Sequence, residues 1–149
     1  MGWELGLMDL FKSEDFINRS ASVPKSFGIY IAQPLGSRMR VIDKSRADIM
    51  PNVNNTHIKF GKAHNLQQRF KNYYFDNDGD VNFTPIIICD NYTKEELTGL
   101  EKLIKSKVDI YRMRNPKTNR RLEWLEGISF EDLKNTILEA HEEFDTLCE

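Results

Sequence analysis

The chain has 149 residues and a formal net charge of −2, which fits one domain with one modest hydrophobic core. A charge this close to zero argues against a protein that coats nucleic acid with its whole surface. No apolar run approaches the ~18 residues needed to cross a membrane. The two cysteines, Cys89 and Cys148, lack metal-binding spacing. We therefore expect an intracellular protein in a reducing compartment, such as the cytoplasm.

Charge is distributed unevenly toward the C-terminus. Residues 101–121 carry eight basic and two acidic side chains, whereas residues 122–149 carry one basic and nine acidic side chains. The basic segment suits a phosphate-binding surface, although a solvated helix face has the same composition. The acidic C-terminal helix, residues 139–149, suggests an alternative function, in which it binds a basic partner or masks the basic face of the protein itself.

The first half of the chain predicts two strands separated by a long insertion. Residues 1–26 predict little beyond a short amphipathic helix and form an N-terminal extension. Aromatic and β-branched residues predict strands over Phe27–Ala32 and Thr56–Phe60. Proline, glycine and asparagine residues between them predict an insertion at about residues 33–55 that is mainly loop.

Helix signals alternate with strand signals in the second half. His64 or Asn65 caps a helix that runs to about Tyr74, and the spacing of Leu66, Phe70 and Tyr73 predicts that they face the core. Val81–Cys89 predicts a third strand. The apolar run Ile86–Ile88 suits a central, covered strand. Two later helices have capping residues of their own, supplied by the pairs Thr93 with Glu96 and Ser129 with Asp132.

Together these elements predict an α+β domain with a small three-stranded sheet, mixed or antiparallel, flanked by helices. Residues 27–125 form this domain, and Arg120–Leu125 adds a short strand or a turn. Residues 126–149 form an acidic helix that packs on the same domain.

Two charged residues stand at the edges of predicted apolar helix faces. Arg69 lies beside Leu66 and Phe70, where its guanidinium either binds phosphate oxygens or only covers the helix edge. Glu101 lies on the rim of an apolar stripe, and a partly buried carboxylate needs a compensating cation. That cation is a metal ion, Arg69, or Lys105 one turn along the helix.

Tyr30 and Lys59 lie in the first and second predicted strands. Each alone is compatible with an ordinary strand position. A lysine beside a phenol favours the phenolate form and lowers the phenol pKa, so we expect the two residues to act as a pair.

The order and spacing of these residues resemble the signature of the GIY-YIG nuclease family. Gly28-Ile29-Tyr30 matches the first tripeptide, and Lys59-Phe60-Gly61 resembles the second, with Arg69 eight positions after its glycine. Glu101 falls in a later helix, as the metal-binding glutamate of the family does, and Asn115 lies near the family's late asparagine. Two departures are clear: Lys59 replaces a tyrosine, and 28 residues separate Tyr30 from Lys59.

The resemblance implies a DNA endonuclease that hydrolyses phosphodiester bonds with one Mg²⁺ or Mn²⁺. It implies Tyr30 as the general base or water-orienting residue, Glu101 as the metal ligand, Arg69 on the scissile phosphate and Asn115 in support. Lys59 then acts as the partner of Tyr30. The residues expected to contact DNA are basic: Arg38, Arg40, Lys62, His64, Lys71, Arg112 and Arg114.

The sequence leaves two questions open, the catalytic activity and the oligomeric state. The lysine at position 59 is also compatible with a catalytically inactive module that kept the fold and binds nucleic acid. The oligomeric state is undetermined, and a homodimer is one arrangement that would bring two such domains to one DNA.

Overall fold

The computed structural model describes residues 14–35, 53, 55–114 and 119–147. Within these ranges the chain forms four α-helices and five strands. The helices are α1 (Glu14–Ala21), α2 (Leu66–Asp76), α3 (Lys94–Val108) and α4 (Phe130–Leu147). The strands are β1 (Gly28–Pro34), β2 (His57–Ala63), β3 (Val81–Ile88), β4 (Arg112–Arg114) and β5 (Arg121–Glu126). A 3₁₀ turn, Asp109–Tyr111, joins α3 to β4.

The described strands form one five-stranded antiparallel sheet in the order β3-β1-β2-β5-β4. The prediction of a three-stranded sheet is therefore wrong. β5 pairs with the start of β2 through His57↔Glu126 and Ile58↔Leu125, and β4 pairs with β5. The sequence underestimated the sheet because β4 has only three residues, too few to show an alternating pattern.

The apolar run in β3 does not mark a central strand. Among the described strands, β3 pairs only with β1 and therefore lies at an edge of the sheet. Ile87 is buried, whereas the side chain of Ile88 is 52% exposed. Three apolar residues in a row predicted that both faces of this strand are buried, but at the end of β3 only one face is buried.

Alternate residues of β1 point into two hydrophobic cores, one on each face of the sheet. Tyr30 and Ala32 face the upper core, which also contains side chains of α1 and α2. Ile29 and Ile31 face the lower core, which contains side chains of α3 and α4. The sheet is thus a layer between two helical layers, and β1 is buried on both faces.

The predicted caps fix where three of the helices begin. Asn65, one of the two predicted candidates, accepts a hydrogen bond from the N–H of Gln68 at 3.0 Å. The capping box of Thr93 and Glu96 is present at the start of α3. Ser129 accepts from the N–H of Asp132 at the start of α4. The caps of α2 and α3 matter for function, because they set the positions of Arg69 and Glu101.

Some predictions concern residues outside the described ranges. Arg38, Arg40 and Asn115 lie there, together with most of the predicted insertion. Among the residues that the structure describes, no helix is both long and apolar enough to cross a bilayer.

Removing the side chain of Leu125 should show that β5 is integral to the fold. Leu125 is 1% exposed in the lower core, so Leu125→Ala is expected to cost about 2–5 kcal/mol of unfolding free energy. Leu147→Ala is the matched control, since that side chain is 74% exposed. Urea denaturation measures both variants. Equal stability of the two proteins would contradict the placement of β5 in the core.

Candidate active site

The phenol of Tyr30 lies directly over Gly61 of the neighbouring strand. The two residues are register partners across β1 and β2. A β-carbon added at Gly61 would stand 2.5 Å from the Tyr30 hydroxyl oxygen and 2.8 Å from Cζ. No larger residue fits at position 61 without moving the ring, which stacks on Phe83 at a centroid distance of 4.7 Å. The glycine of the second tripeptide is therefore required by this close approach.

The glycine of the first tripeptide brings α2 against the sheet. A β-carbon at Gly28 would stand 2.3 Å from the Ile87 carbonyl oxygen and 2.6 Å from Cδ1 of Leu66, the first residue of α2. The N–H groups of Leu66 and Gln67 donate to the carbonyls of Ser26 and Pro24. The start of α2 is thus fixed to β1 and to the segment before it, and Arg69 follows within one turn.

Arg69 is a cation that lies against the ring of Tyr30 and has no anionic partner among the described residues. Its guanidinium carbon lies 6.0 Å from the centre of the Tyr30 ring. Within the described part of the chain, its guanidinium makes no ion pair and no hydrogen bond. Four other described arginines have polar partners: Arg19, Arg112, Arg114 and Arg121. Arg69 is therefore available to bind an anion.

Lys59 lies on the same face of the sheet, but its direct partner is Glu123. The ammonium nitrogen is 3.0 Å from Oε2 of Glu123, and the lysine side chain is only 11% exposed. It also lies 5.9 Å from the ring centres of Tyr73 and Trp124. The predicted pairing of Lys59 with Tyr30 is thus an electrostatic interaction at a distance, while the ion pair goes to β5.

Tyr73 supplies a second phenol that sequence reasoning assigned only to the core. Its hydroxyl oxygen is 3.1 Å from that of Tyr30, and both groups are buried. The two rings meet edge to face at 5.6 Å. Tyr73 follows Arg69 by four residues, one turn along α2, and this spacing was the available signal. Lys59 replaces the tyrosine of the second tripeptide, but Tyr73 of α2 still brings a second phenol beside Tyr30.

Burial keeps Tyr30 protonated. It raises the pKa of Tyr30 well above its usual range, and Tyr73 raises it further, whereas Lys59 and Arg69 act in the opposite direction without overcoming burial. Burial also raises the pKa of Tyr73 to about 12. The expectation that Lys59 makes Tyr30 a phenolate therefore fails at neutral pH, because desolvation is the larger effect.

Glu101 belongs to the other face of the sheet. Its Oε2 accepts a hydrogen bond from the N–H of Lys62 at 3.2 Å, and its Oε1 lies 3.7 Å from Nζ of Lys105. The Lys62 ammonium donates to Oγ1 of Thr98 at 2.7 Å, which ties β2 to α3. Contact between Glu101 and Arg69, one of the three predicted arrangements, is not formed, whereas the pairing with Lys105 is.

The two faces approach each other at the edge of β2. β5 pairs with β2 only at its first two residues, and within the described ranges no strand pairs with the outer edge of residues 59–63. Only the Gly61–Lys62 peptide separates the Tyr30 hydroxyl from the Glu101 carboxylate. The contacts on its two sides place these groups within about 10 Å of each other. Tyr30 and Glu101 are thus neighbours around a strand edge, without direct contact.

The Glu101 carboxylate fits a divalent cation of the Mg²⁺ class. Such ions prefer hard oxygen ligands and often take one or two carboxylates, with water and substrate phosphate completing the shell. The described residues contain no group of three or more His, Cys, Asp or Glu side chains that would hold a metal without water. One oriented, 16% exposed carboxylate suits this loose type of site, with Lys105 as the competing cation.

The described residues predicted to contact DNA differ in how available they are. His64 is exposed and packs on Phe27 with ring centres 5.1 Å apart, and Lys71 is half-buried on α2. Arg112 donates to the Leu122 carbonyl at 2.8 Å, so it supports the β4–β5 hairpin. Arg114 is exposed and donates to the Asn119 carbonyl at 3.1 Å. Among these four side chains, that of Arg112 is thus the least available.

The contact between Tyr30 and Gly61 predicts a specific coupling between the two positions. Gly61→Ala should destabilise the protein by about 1–3 kcal/mol, since the new methyl group overlaps the phenol. In a Tyr30→Leu background the same change should cost much less, because the shorter side chain frees that space. Denaturant melts of the four proteins measure the coupling. Strictly additive effects would show that the two residues do not touch.

The raised pKa of Tyr73 predicts a loss of stability in alkali. Between the unfolded value near 10 and the folded value of about 12, the folded protein keeps a proton that the unfolded chain has lost. Its unfolding free energy should therefore fall with rising pH in this window, by up to about 1.4 kcal/mol per pH unit. Tyr73→Phe should show a shallower fall between pH 10 and 11.5 and the same slope below pH 9. Identical pH profiles would contradict the assignment.

Comparison with known proteins identifies the family. The family model described as the T5orf172 domain matches residues 29–141. This range includes most of β1 and α4, Glu101, and the group formed by Tyr30, Lys59, Arg69 and Tyr73, called here the Tyr30 cluster. Searches of curated proteins and of solved structures found no match. The domain is associated with phages and linked to endonucleases, which indicates a nuclease or DNA-binding role. The chain belongs to the T5orf172 domain family.

Proposed function

We propose that this protein is a DNA endonuclease of the GIY-YIG type that depends on Mg²⁺ or Mn²⁺. The observation that carries the proposal is the position of Arg69. This arginine is held against Tyr30 and has no anionic partner in the described part of the chain. Leaving a cation unpaired beside a buried phenol has little structural benefit. A phosphate bound beside Arg69 would supply the missing anionic partner.

Arg69 would bind the scissile phosphate. A planar guanidinium can donate two parallel hydrogen bonds to phosphate oxygens, and its charge is permanent. The cap of α2 and the packing of Leu66 under Gly28 fix the helix that presents it. In the reaction, the guanidinium would stabilise the negative charge that builds up on the phosphate.

Tyr30 would orient the attacking water as a neutral hydroxyl. Its raised pKa makes a phenolate unavailable at neutral pH, so a role as a pre-ionised base is disfavoured. A phenol has one donor and can also accept, and Tyr73 occupies one of these directions at 3.1 Å. The remaining direction would hold the water in line with the phosphate bound to Arg69. Lys59 would add positive charge on the same face, held in place by Glu123.

Glu101 would hold the metal ion, with the N–H of Lys62 orienting its carboxylate. When bound, the cation supplies stabilisation of the leaving 3′-oxygen. Asn115, which lies outside the described residues, remains a proposed hydrogen-bonding support. DNA would be the partner, and basic residues of α2 and of the β4–β5 hairpin would contact its backbone. This arrangement works in a monomer and in a homodimer.

A catalytically silent DNA-binding module is the second candidate. It is favoured by the deep burial of Tyr30, which is 1% exposed, and by the pairing of Glu101 with Lys105. Such a module would bind DNA with strong salt dependence and would not cut it. DNA cleavage that a chelator abolishes and Mn²⁺ restores would eliminate this candidate.

Plasmid nicking tests the roles of Arg69 and Glu101. With Mg²⁺, Arg69→Gln and Glu101→Gln should each cut about 10²–10³ times more slowly than the wild type, because each removes a charge acting on the phosphate or the metal. Arg69→Lys should recover only part of the rate, since the forked geometry is lost. Glu95→Gln is the matched control, as Glu95 is an exposed residue of the same helix as Glu101.

The control is expected to cut at the wild-type rate, and all variants should keep the wild-type melting temperature. A wild-type rate for Arg69→Gln would remove the basis of the proposal. A wild-type rate for Glu101→Gln alone would remove only the metal-site assignment.

A further inference from the structure

A recess lies beside β4, at an edge of the described sheet and away from Tyr30. It has a volume of about 410 Å³ and is lined by residues 110–114, together with Glu126 and Gly127. This volume falls in the range of small-molecule sites. The recess lies on the outermost strand, β4, and none of its lining residues belongs to the Tyr30 cluster.

The apolar part of the recess is unusually exposed. Ile110, in the 3₁₀ turn, is 85% exposed, the highest exposure among the large hydrophobic residues described. Tyr111, beside it, is half-buried and packs on the lower core. The recess therefore combines a free aliphatic side chain with a fixed aromatic ring.

Gly127 keeps the side of the recess next to this ring open. A β-carbon at Gly127 would stand 3.9 Å from Cδ1 of Tyr111, so a longer side chain there would cover the ring. Gly127 also has a φ of +85°, a conformation that favours glycine. The turn after β5 thus leaves the ring accessible.

The polar part of the recess matches the edge of a nucleobase and its phosphate. Arg114 is exposed and uses one guanidinium nitrogen on the Asn119 carbonyl, which leaves further donors. Glu126 uses Oε2 on His57, and its Oε1 has no partner in the described part of the chain. Carboxylate oxygens accept hydrogen bonds from the amino groups of bases.

The positive charge of the surrounding segment favours a negatively charged binding partner. Residues 101–121 carry eight basic and two acidic side chains. An apolar and aromatic recess in such a segment suits a base that carries its own negative backbone. A purely apolar protein partner would leave these cations desolvated.

We propose that this recess binds an unstacked nucleobase in a single-stranded part of the DNA substrate. The base packs on Tyr111 and Ile110, and Arg114 contacts the adjacent phosphate. The proposal rests on the proposed function, because it assumes that DNA is the partner, and it makes the enzyme selective for tailed or branched DNA. β4 lies two strands from β2 in the sheet, a distance of roughly 10 Å.

Fluorescence anisotropy with two labelled hairpin duplexes tests the proposal, with chelator present so that nothing is cut. One duplex is blunt, and the other has the same stem with a four-nucleotide single-stranded tail. The wild type should bind the tailed duplex about tenfold more tightly, the scale of one stacked base. Ile110→Ser and Arg114→Gln should lose most of this preference, whereas Leu147→Ser should keep it. Ile110 and Leu147 are both exposed, so these two serine variants should fold normally.

Each outcome separates the two proposals. Equal binding of both duplexes by a wild type that still nicks plasmid overturns the base site and leaves the endonuclease proposal standing. A preference that survives in Ile110→Ser also overturns the base site. Arg69→Gln serves as a further control, since it should cut poorly yet retain the tail preference. Failure to bind either duplex overturns both proposals.

Discussion

The contact between Tyr30 and Gly61 is the constraint on which the proposed site depends. The phenol occupies the space of a missing side chain, since a β-carbon at Gly61 would stand 2.5 Å from its hydroxyl. This contact holds β1 and β2 in one register and directs the hydroxyl toward the edge of β2. Tyr73 then reaches the hydroxyl from α2, and Lys62, the residue after Gly61, reaches Glu101 on the opposite face. The peptide between Gly61 and Lys62 thus lies between the side chains of the two helical layers.

The electrostatics of the cluster are decided by burial. Two cations, Lys59 and Arg69, lower the pKa of Tyr30, but burial and the neighbouring phenol of Tyr73 raise it more. Lys59 is held by Glu123, so part of its charge is already compensated. Arg69 has no such partner among the described residues. The cluster therefore has a neutral hydroxyl and an available cation, which suits the binding of a phosphate better than the generation of a phenolate.

The sequence predicted local features well where side-chain chemistry acts within one turn. The caps at Asn65 and Thr93 were predictable because each is a contact between residues three positions apart, and both are confirmed. Contacts between distant segments were not predictable in the same way. The ion pair from Lys59 to Glu123 depends on β5 lying beside β2, and the short strand β4 has too few residues to show a strand pattern.

Glu101 illustrates how far a periodicity argument extends. The helical stripe placed it at the edge of a buried face, and its side chain is 16% exposed. The face of the sheet that α3 covers was not predictable, because the helical period shows which side of a helix is buried but not what that side packs against. Tyr73 was interpreted as core for a related reason: an apolar stripe does not distinguish a packed ring from one whose hydroxyl meets another functional group.

Single-turnover cleavage by Tyr30→Phe tests whether the Tyr30 hydroxyl takes part in DNA cleavage. This change removes one oxygen atom and leaves the ring that packs over Gly61. At saturating protein and Mg²⁺, the account predicts that the rate of DNA cleavage falls by about 10²–10⁴, while DNA affinity stays at the wild-type value. Cleavage at the wild-type rate would contradict the account, because the hydroxyl would then have no part in the reaction.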